Sequence, residues 1–398
     1  MTRKAVSLLL ILLTLVCLSG CWSRREMSEL AIVMGAGVDR TPENRIRLTL
    51  QLARPAAFGG GAETGGAGAA ERQNITWVVS ETGDTIFEAE RNLALKISRR
   101  IYWAHNIILV FGAEAAKSGV GNYVDFFMRD PMSRENIWVL VTRGEAKELL
   151  ESHSELEKTS AQSIGFVERN KAGLAVIFKD FAMALASRGS NPALPAVELQ
   201  KLGEPQGSGM EEEKQHEEVV MTGTGVFKDE YLVGWLDTSE TRGLLWLRGE
   251  INKGIITVPS PGRPDKLLSI NVARARTRVE PEYDGENIGF NITITIDGEL
   301  LEQQSGEDLT IPEKVEEIEA AAAMDVIRKC TATLEKAQGE YGVDIFNFGE
   351  AFHRKYKRDW KELKYQWNDA FAGAQINIYA EAHLRRTGLL TRPATVKK

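Results

Sequence analysis

Histidine, a common metal ligand and general base, is the first residue type to test for chemistry. The sequence contains five histidines: His105, His153, His216, His353 and His383. None stands in an H-E-x-x-H pattern or beside a C-x-x-C pair, the spacings that bring zinc ligands together. The sequence therefore predicts no metal site and no bound cofactor.

Nucleophiles and paired carboxylates give equally little support for catalysis. Cys330 falls on the apolar face of a predicted helix, where cysteine behaves as a small hydrophobic residue, so we interpret it as a core residue. The acidic run 211–213 lies in a charged stretch where nothing would fix the distance between two carboxyl groups. The glycines at 59–61 and 65–66 lack the other residues of a phosphate-binding loop. We assign no catalytic residue, and the chain is predicted not to be an enzyme.

Cys21 is the residue whose surroundings indicate a covalent modification. Two basic residues precede an apolar run over residues 5–18, and Leu18-Ser19-Gly20-Cys21 ends that run. This is the order of an export signal, and the run is shorter than the roughly 20 residues that a membrane-spanning helix needs. The small pair before the cysteine resembles the lipobox of bacterial lipoproteins, in which the thiol receives a diacylglyceryl group. We therefore predict a signal peptide at 1–20 and a lipidated Cys21, anchored by two acyl chains such as palmitate.

Length and charge narrow the remaining classes of function. The chain has 398 residues and a formal net charge of −7, which becomes −9 when Arg3 and Lys4 are removed with the signal. An acidic chain repels phosphate backbones, so nucleic acid is a poor partner. The mature length allows two or three domains. Because Cys17 is also lost with the signal, Cys330 has no partner for an intramolecular disulfide.

Hydrophobic periodicity predicts an α/β (α+β) fold with mixed or antiparallel sheets, each covered by helices. Residues 84–150 alternate helix, strand, helix, strand and helix. The other predicted strands are 31–38, 45–52, 77–80, 196–199, 223–227, 231–236, 267–279, 288–296 and 376–384. The first two form a hairpin, to which 196–199 is expected to return. A long helix after Thr310 is expected to cover the C-terminal sheet.

Shifts in composition predict the domain organisation. Residues 55–73 are too rich in glycine and alanine to pack, and residues 203–218 are charged and poor in apolar residues. We expect a loop at the first segment and a flexible linker at the second. The predicted order is the signal peptide at 1–20, an N-terminal α/β domain from 21–80 with 155–202, an inserted α/β subdomain at 81–154, the linker, and a C-terminal sheet-plus-helices domain at 219–390.

Two patterns of side chains are candidates for surfaces that contact partners. One is an aromatic-rich series at helical spacing: Phe352, Tyr356, Trp360, Leu363, Trp367 and Phe371. Packing against the C-terminal sheet is the favoured interpretation, and a docking surface is the alternative. The other is an alternating row with Ile270 and Val272 on one strand face: Arg274, Arg276 and Arg278. A solvated strand end is favoured, and contact with lipid headgroups or an acidic partner is the alternative.

Short motifs along the mature chain share one family pattern. They are Cys21-Trp22 with the Glu26 that follows, Arg129-Asp130, and the segments 224–228, 232–236, 240–243, 344–346, 349–350 and 385–388, with Trp360, Trp367 and Phe371. In this order they resemble the Ger(x)C spore-germination proteins, the lipoprotein C subunits of nutrient germinant receptors. Ser23 replaces the family's usual acidic residue, Asn347 a common glycine, and Lys357 a common proline.

The resemblance implies a three-domain lipoprotein of sporulation, on the outer face of the inner spore membrane. There it would join a multi-pass A subunit and a permease-like B subunit as a non-enzymatic subunit that aids their assembly or signal coupling. Only Cys21 carries over as a functional position. The alternative is a solute-binding lipoprotein of a transporter, which predicts two similar βαβ lobes around a cleft. A cell-wall hydrolase would need a Cys-His, Ser-Lys or paired-acid site that we do not find.

Overall fold

Two β-sheets with helices packed on their faces form the structure, so the predicted mixed α/β class is confirmed. The computed structural model describes residues 27–54, 75–201, 217–251 and 253–386. Cys21, the predicted loop at 55–73 and residues 203–216 of the predicted linker lie outside the described residues. None of the helices described is long and apolar enough to cross a membrane.

The larger sheet has nine strands among the described residues. They are β1 (Leu30–Arg40), β2 (Ile46–Ala53), β3 (Thr76–Gly83), β4 (Arg100–Tyr102), β5 (Ile108–Phe111), β6 (Trp138–Thr142), β7 (Ala193–Lys201), β8 (Glu217–Lys228) and β9 (Tyr231–Leu236). Their order is β3-β2-β1-β5-β6-β7-β8-β9, with β4 paired to the start of β1. The central strands β1, β5, β6 and β7 are parallel, and the flanking pairs are antiparallel. All four residues of β5 are apolar and buried, as expected for a central parallel strand that is covered on both faces.

Helices cover both faces of the larger sheet. They are α1 (Ile86–Ala94), α2 (Ala113–Lys117), α3 (Gly121–Arg129), α4 (Ala146–Glu151), α5 (Ser160–Arg169) and α6 (Phe178–Ala186). Side chains of β5 alternate between the two layers, because Ile108 packs in the core with α4 and α5, whereas Phe111 packs in the core with α3 and α6. Thr85 fixes the start of α1, where its side chain accepts a hydrogen bond from the Glu88 amide at 3.1 Å.

The position of β7 differs from the prediction. The prediction that it returns to the opening hairpin is wrong, because β7 pairs with β6 and β8. Both edges of β1 are already paired, one with β2 and the other with β4 and β5. The sheet also crosses the predicted domain boundaries. Residues 81–154 supply β4, β5 and β6, and β8 and β9 follow the predicted linker, yet all of them join this one sheet. The domain boundaries themselves stay a prediction.

The smaller sheet has four strands within the described ranges. They are β10 (Ile255–Ser260), β11 (Arg263–Tyr283), β12 (Ile288–Gln303) and β13 (Gln375–Arg386), in that order. The first three are antiparallel neighbours, and β13 runs parallel to β12. Ile292, Ile294 and Ile296 are buried, and the residues between them are half-buried, so the predicted alternation is confirmed. One face of this sheet thus packs on the core and the other faces solvent.

Helices pack on the buried face of the smaller sheet. They are α7 (Thr238–Arg248), α8 (Pro312–Glu335), α9 (Phe348–Lys355), α10 (Trp360–Leu363) and α11 (Trp367–Ala372), with a π-helical turn at Lys336–Tyr341 after α8. The predicted long helix is confirmed as α8, with Pro312 in its first turn and Ile318, Val326 and Cys330 buried.

Asp39, near the end of β1, connects the larger sheet to α4. Its carboxylate accepts hydrogen bonds from the amides of Ala146 at 2.7 Å and Lys147 at 3.0 Å, the first residues of the helix. Burial raises the pKa of Asp39 from 3.8 to about 6, although the two backbone hydrogen bonds act in the opposite direction. The folded protein therefore binds a proton at Asp39 more tightly than the unfolded chain does.

This shift predicts how Asp39 affects stability with pH. Since the folded pKa of about 6 exceeds the ordinary 3.8, the contribution of Asp39 to the free energy of unfolding falls as the pH rises through this window. Urea unfolding of the wild type and Asp39→Asn should show their difference in free energy falling by about 2–3 kcal/mol from pH 4 to 6.5. Asp284→Asn is the control, because Asp284 has a pKa lowered to about 2 by hydrogen bonds and titrates below this range. A constant difference for Asp39→Asn would contradict the prediction.

Candidate functional site

The structure shows where the chain that follows Cys21 enters the fold. A 3₁₀ turn, Met27–Glu29, leads directly into β1 at Leu30. Leu30 is paired with Arg100 of β4, and the two strands run parallel. The 3₁₀ turn before β1 and the loop before β4 therefore lie at the same end of the larger sheet. A lipid on Cys21 would be attached to that end.

A second candidate is the contact between the two sheets, which contains family-motif residues. We call it the sheet junction and define it as residues 187–191, residues 344–350 and Asn368. Residues 187–191 join α6 to β7 of the larger sheet, and residues 344–350 lead into α9 under the smaller sheet. Sequence reasoning assigned 344–346 and 349–350 to the family pattern but gave no role to residues 187–191.

Asp344 organises one side of the sheet junction. Its side chain is fully buried and accepts four hydrogen bonds, from the amides of Phe346, Phe348 and Gly349 and from the Trp367 indole Nε1. Burial raises the pKa of the Asp344 carboxyl, and these hydrogen bonds partly oppose the shift. The carboxylate thus holds the turn before α9 in place and is enclosed by its own donors.

Hydrogen bonds then cross from one sheet to the other. The Asn191 amide donates to the Asp344 carbonyl at 2.6 Å, and the Asn191 side chain donates to Asn368 Oδ1 at 2.6 Å. Two serine hydroxyls continue the row: Ser190 donates to Asn347 Oδ1 at 2.7 Å, and Ser187 donates to Glu350 Oε1 at 2.8 Å. Short polar side chains on both segments therefore fix the orientation of the two sheets.

Two glycines allow the backbones to approach this closely. A Cβ on Gly349 would lie 2.4 Å from the carbonyl oxygen of Gly189, and a Cβ on Gly189 would lie 2.9 Å from the carbonyl carbon of Gly349. Such distances exclude any side chain unless the backbone moves. The sheet junction is thus a tight backbone contact, and no substrate would fit between the two segments.

Arg248, at the end of α7, adds a buried positive charge beside the sheet junction. Its Nε donates to the Ile345 carbonyl at 2.7 Å, and its guanidinium lies 3.9 Å from Glu250. Burial lowers the pKa of Arg248, while Glu250 and then Asp344 raise it. The guanidinium and the Asp344 carboxyl partly offset each other's cost of burial.

The aromatic series packs inside the protein, so the favoured interpretation is confirmed. Phe352, Trp360, Trp367 and Phe371 are all buried, and Tyr356 and Leu363 are half-buried. The rings of Trp360 and Trp367 lie 5.1 Å apart, and those of Phe352 and Trp367 lie 5.4 Å apart. Three short helices, α9 to α11, share the series and bury it against the smaller sheet and the sheet junction.

The arginine row lies in solvent on the open face of the smaller sheet. Its members are Arg274, Arg276 and Arg278. The prediction that they share a face with Ile270 and Val272 is wrong, because a β-bulge after Val272 adds one residue and reverses the alternation. Arg278 pairs with Glu280 at 2.7 Å. Contact of this row with a partner stays a prediction.

Cys330 is a core residue, as predicted. It is fully buried, and burial raises the pKa of its thiol to about 12, so the thiolate needed for nucleophilic attack does not form near neutral pH. The histidines and acidic residues within the described ranges form no cluster of three or more metal ligands.

The solute-binding alternative requires a concave site, and the structure contains a groove of sufficient size. It encloses about 1050 Å³ between α1, β4 and α3. Glu90 lines it, half-buried, and accepts a hydrogen bond from Trp103 Nε1 at 3.3 Å. Burial raises the pKa of Glu90 despite that bond. The second sheet, however, is largely antiparallel, unlike the second βαβ lobe that this alternative predicts.

Comparison with known proteins agrees with the fold and the motifs. The family model for the spore germination protein N-terminal domain matches residues 23–199. The model described as spore germination B3/GerAC like, C-terminal, matches residues 222–388. This chain belongs to the Ger(x)C family. Members of this family are germinant receptor subunits, and the two matched regions flank the predicted linker.

Individual relatives cover the chain almost end to end. The Ger(x)C chain is 28% identical to spore germination protein KC of Bacillus subtilis (strain 168), over 99% of this chain and 98% of that protein. It is 23% identical to spore germination protein A3 of the same organism, over 93% and 95%. The crystal structure of the GerBC protein covers 88% of this chain and 97% of its own, with a TM-score of 0.52 and 17% identity. That likeness confirms the multi-domain α/β fold.

Proposed function

We propose that this chain is the lipid-anchored, non-enzymatic subunit of a spore nutrient germinant receptor. Held on the outer face of the inner spore membrane through Cys21, it would assemble with the multi-pass A subunit and the permease-like B subunit and couple them during spore germination. The observation that carries the proposal is the family match over both halves of the chain. The sequence Leu18-Ser19-Gly20-Cys21 supplies the anchor.

The sheet junction supports a role in assembly or coupling. A subunit that holds or couples two membrane proteins needs surfaces with a fixed relative orientation. The direct hydrogen bonds from residues 187–191 to residues 344–350, together with the Gly189–Gly349 backbone contact, join the two sheets in this way. Asp344 accepts the Asn191 amide at its backbone carbonyl, and its buried carboxyl holds the turn before α9. Its chemistry therefore suits a scaffold.

Affinity purification from spore membranes tests the proposal. A tagged copy of the chain, solubilised in mild detergent, should recover the A and B subunits together, whereas a tagged lipoprotein from another family should recover neither. Spores that lack the chain should lose their response to the nutrients of that receptor and regain it when the gene is restored. Recovery of neither subunit, together with normal germination, would contradict the proposal.

A solute-binding lipoprotein is the second candidate function, because the groove beside Glu90 is large enough for a small solute. Calorimetry of the mature chain with germinant amino acids and sugars separates the two. Micromolar binding that is lost in Glu90→Gln would favour the solute-binding protein, and no heat at millimolar solute favours the receptor subunit.

A further inference from the structure

The loop between α1 and β4 has a composition that differs from the rest of the acidic chain. Leu95 is 86% exposed at the end of α1, and Arg99 and Arg100 are exposed at the start of β4. Lys96, between them, is paired with Glu81. Neither arginine lies within ion-pair distance of a described carboxylate, although Arg100 interacts electrostatically with Glu90 in the groove. The loop thus presents two exposed positive charges next to an apolar side chain. We call residues 95–100 the basic loop.

The strand register places the basic loop beside the predicted anchor. Leu30 pairs with Arg100 in parallel, and neighbouring strands lie about 4.8 Å apart. Five residues lie between Cys21 and Met27, which allows a span of at most about 20 Å, and the 3₁₀ turn before Leu30 adds about 6 Å. A lipid on Cys21 therefore keeps the basic loop within about 30 Å of the bilayer.

We propose that the basic loop binds the anionic phospholipid surface and orients the body on the membrane. This inference rests on the proposed function, since it requires the lipid on Cys21. The arginines would meet headgroup phosphates while Leu95 enters the boundary of the acyl region.

The charge of the whole chain favours a lipid surface for this loop. The mature chain carries −9 and is repelled as a whole by an anionic membrane, so exposed cations at the tethered end favour that end facing it. The exposed arginines of β11 belong to the smaller sheet, which the tether does not enter. Glu29, exposed in the adjoining turn, and Glu90, half-buried in the groove beside Arg100, offset part of the charge of the basic loop, so Arg99 carries the charge that remains in excess. Attraction of this kind acts within roughly 8 Å at physiological salt, a distance that the short tether allows the loop to reach.

Depth measurement on the lipidated chain tests the inference. One fluorophore is attached at Ser98→Cys in the basic loop or at Glu43→Cys, which lies beyond the far end of β1, about 35 Å away. Native Cys330 is buried and does not compete for the label. Vesicles contain a headgroup-level quencher and either phosphatidylcholine alone or roughly one third phosphatidylglycerol. With the anionic lipid, the label at 98 should be quenched several-fold more than the label at 43.

Charge reversal identifies the groups responsible. Arg99→Glu with Arg100→Glu should lower the ratio of docked to undocked orientations by about 20-fold or more, since each arginine near an anionic surface contributes about fivefold. Arg274→Glu with Arg276→Glu makes the same charge change on the solvent-exposed face of β11 and should leave the quenching unchanged. On vesicles of pure phosphatidylcholine, the label at 98 of the otherwise unchanged chain should show the same reduced quenching as the Arg99→Glu, Arg100→Glu variant.

Three results would contradict the membrane contact of the basic loop or the lipid anchor on which it depends. Equal quenching at 98 and 43 on anionic vesicles would overturn the inference while the acylated anchor stands. If the Arg99→Glu, Arg100→Glu variant keeps the quenching but recovers less of the membrane subunits in the affinity purification, the partner of the basic loop is an acidic protein surface and not lipid. An unacylated amino terminus in the mass spectrum would instead overturn the proposed function.

Discussion

Replacement of Cys21 by alanine is expected to release the chain from the membrane fraction and to weaken the nutrient response of the spores. Each buried methylene contributes about 0.8 kcal/mol, so two acyl chains hold stably where one chain holds only marginally. Without the thiol no lipid is attached, and the basic loop alone is too small to replace it. The membrane-bound fraction should fall by roughly 100-fold or more when membranes are sedimented and immunoblotted.

The chain contains its own controls for this substitution. Cys17→Ala alters a residue that the predicted processing removes, and Cys330→Ala alters a buried core thiol. Both should stay in the membrane fraction. Mass spectrometry of the mature amino terminus should show the diacyl mass on each control and not on Cys21→Ala. Full membrane retention of Cys21→Ala would mean that the anchor is not lipid on this residue.

Replacement of Gly349 by alanine is expected to destabilise the protein by about 3 kcal/mol or more. The new Cβ would lie 2.4 Å from the Gly189 carbonyl oxygen and 2.6 Å from Trp367 Nε1, so the two segments of the sheet junction must separate. Separation also weakens the hydrogen bond from the Asn191 amide to the Asp344 carbonyl, because that bond requires the same close approach of the two backbones. Urea unfolding measures the loss.

A matched glycine distinguishes crowding from a general effect of alanine. Gly339 lies in the π-helical turn, and a methyl group added there would have no neighbouring atom within 4 Å. Gly339→Ala should therefore change the free energy of unfolding by less than about 1 kcal/mol, in the stabilising direction. Gly189→Ala approaches the same contact from the other side and should destabilise. Equal stability of Gly349→Ala and Gly339→Ala would mean that the sheet junction is not tight.

Most single elements follow from the sequence because local patterns determine them. The alternation of Ile292, Ile294 and Ile296 specifies one buried face of β12, and Pro312 with the apolar stripe after it specifies α8. The buried position of Cys330 follows from that stripe as well. The lipidation of Cys21 is a prediction of the same local kind, since the export pattern lies within 21 consecutive residues.

Long-range pairing does not follow from such patterns. The strand at 196–199 is visible in the sequence, yet its neighbours are not, because an apolar strand fits beside any open edge until the other strands occupy theirs. The bulge after Val272 adds a single residue to β11, and one residue reverses the face of the three arginines. Neither feature leaves a periodic signal.

The predicted anchor, the class of fold, most helices and strands and the family could all be derived from the amino-acid order, because each depends on neighbouring residues or on motifs in a fixed succession. Only the tertiary structure shows three other features. They are the order of strands in the larger sheet, the contact of Ser187, Ser190 and Asn191 with residues 344–350, and the position of the basic loop beside Leu30. Those features arise where segments far apart in the chain meet. Their short polar side chains and glycines become specific only when the opposite backbone is in place to accept or donate the hydrogen bonds.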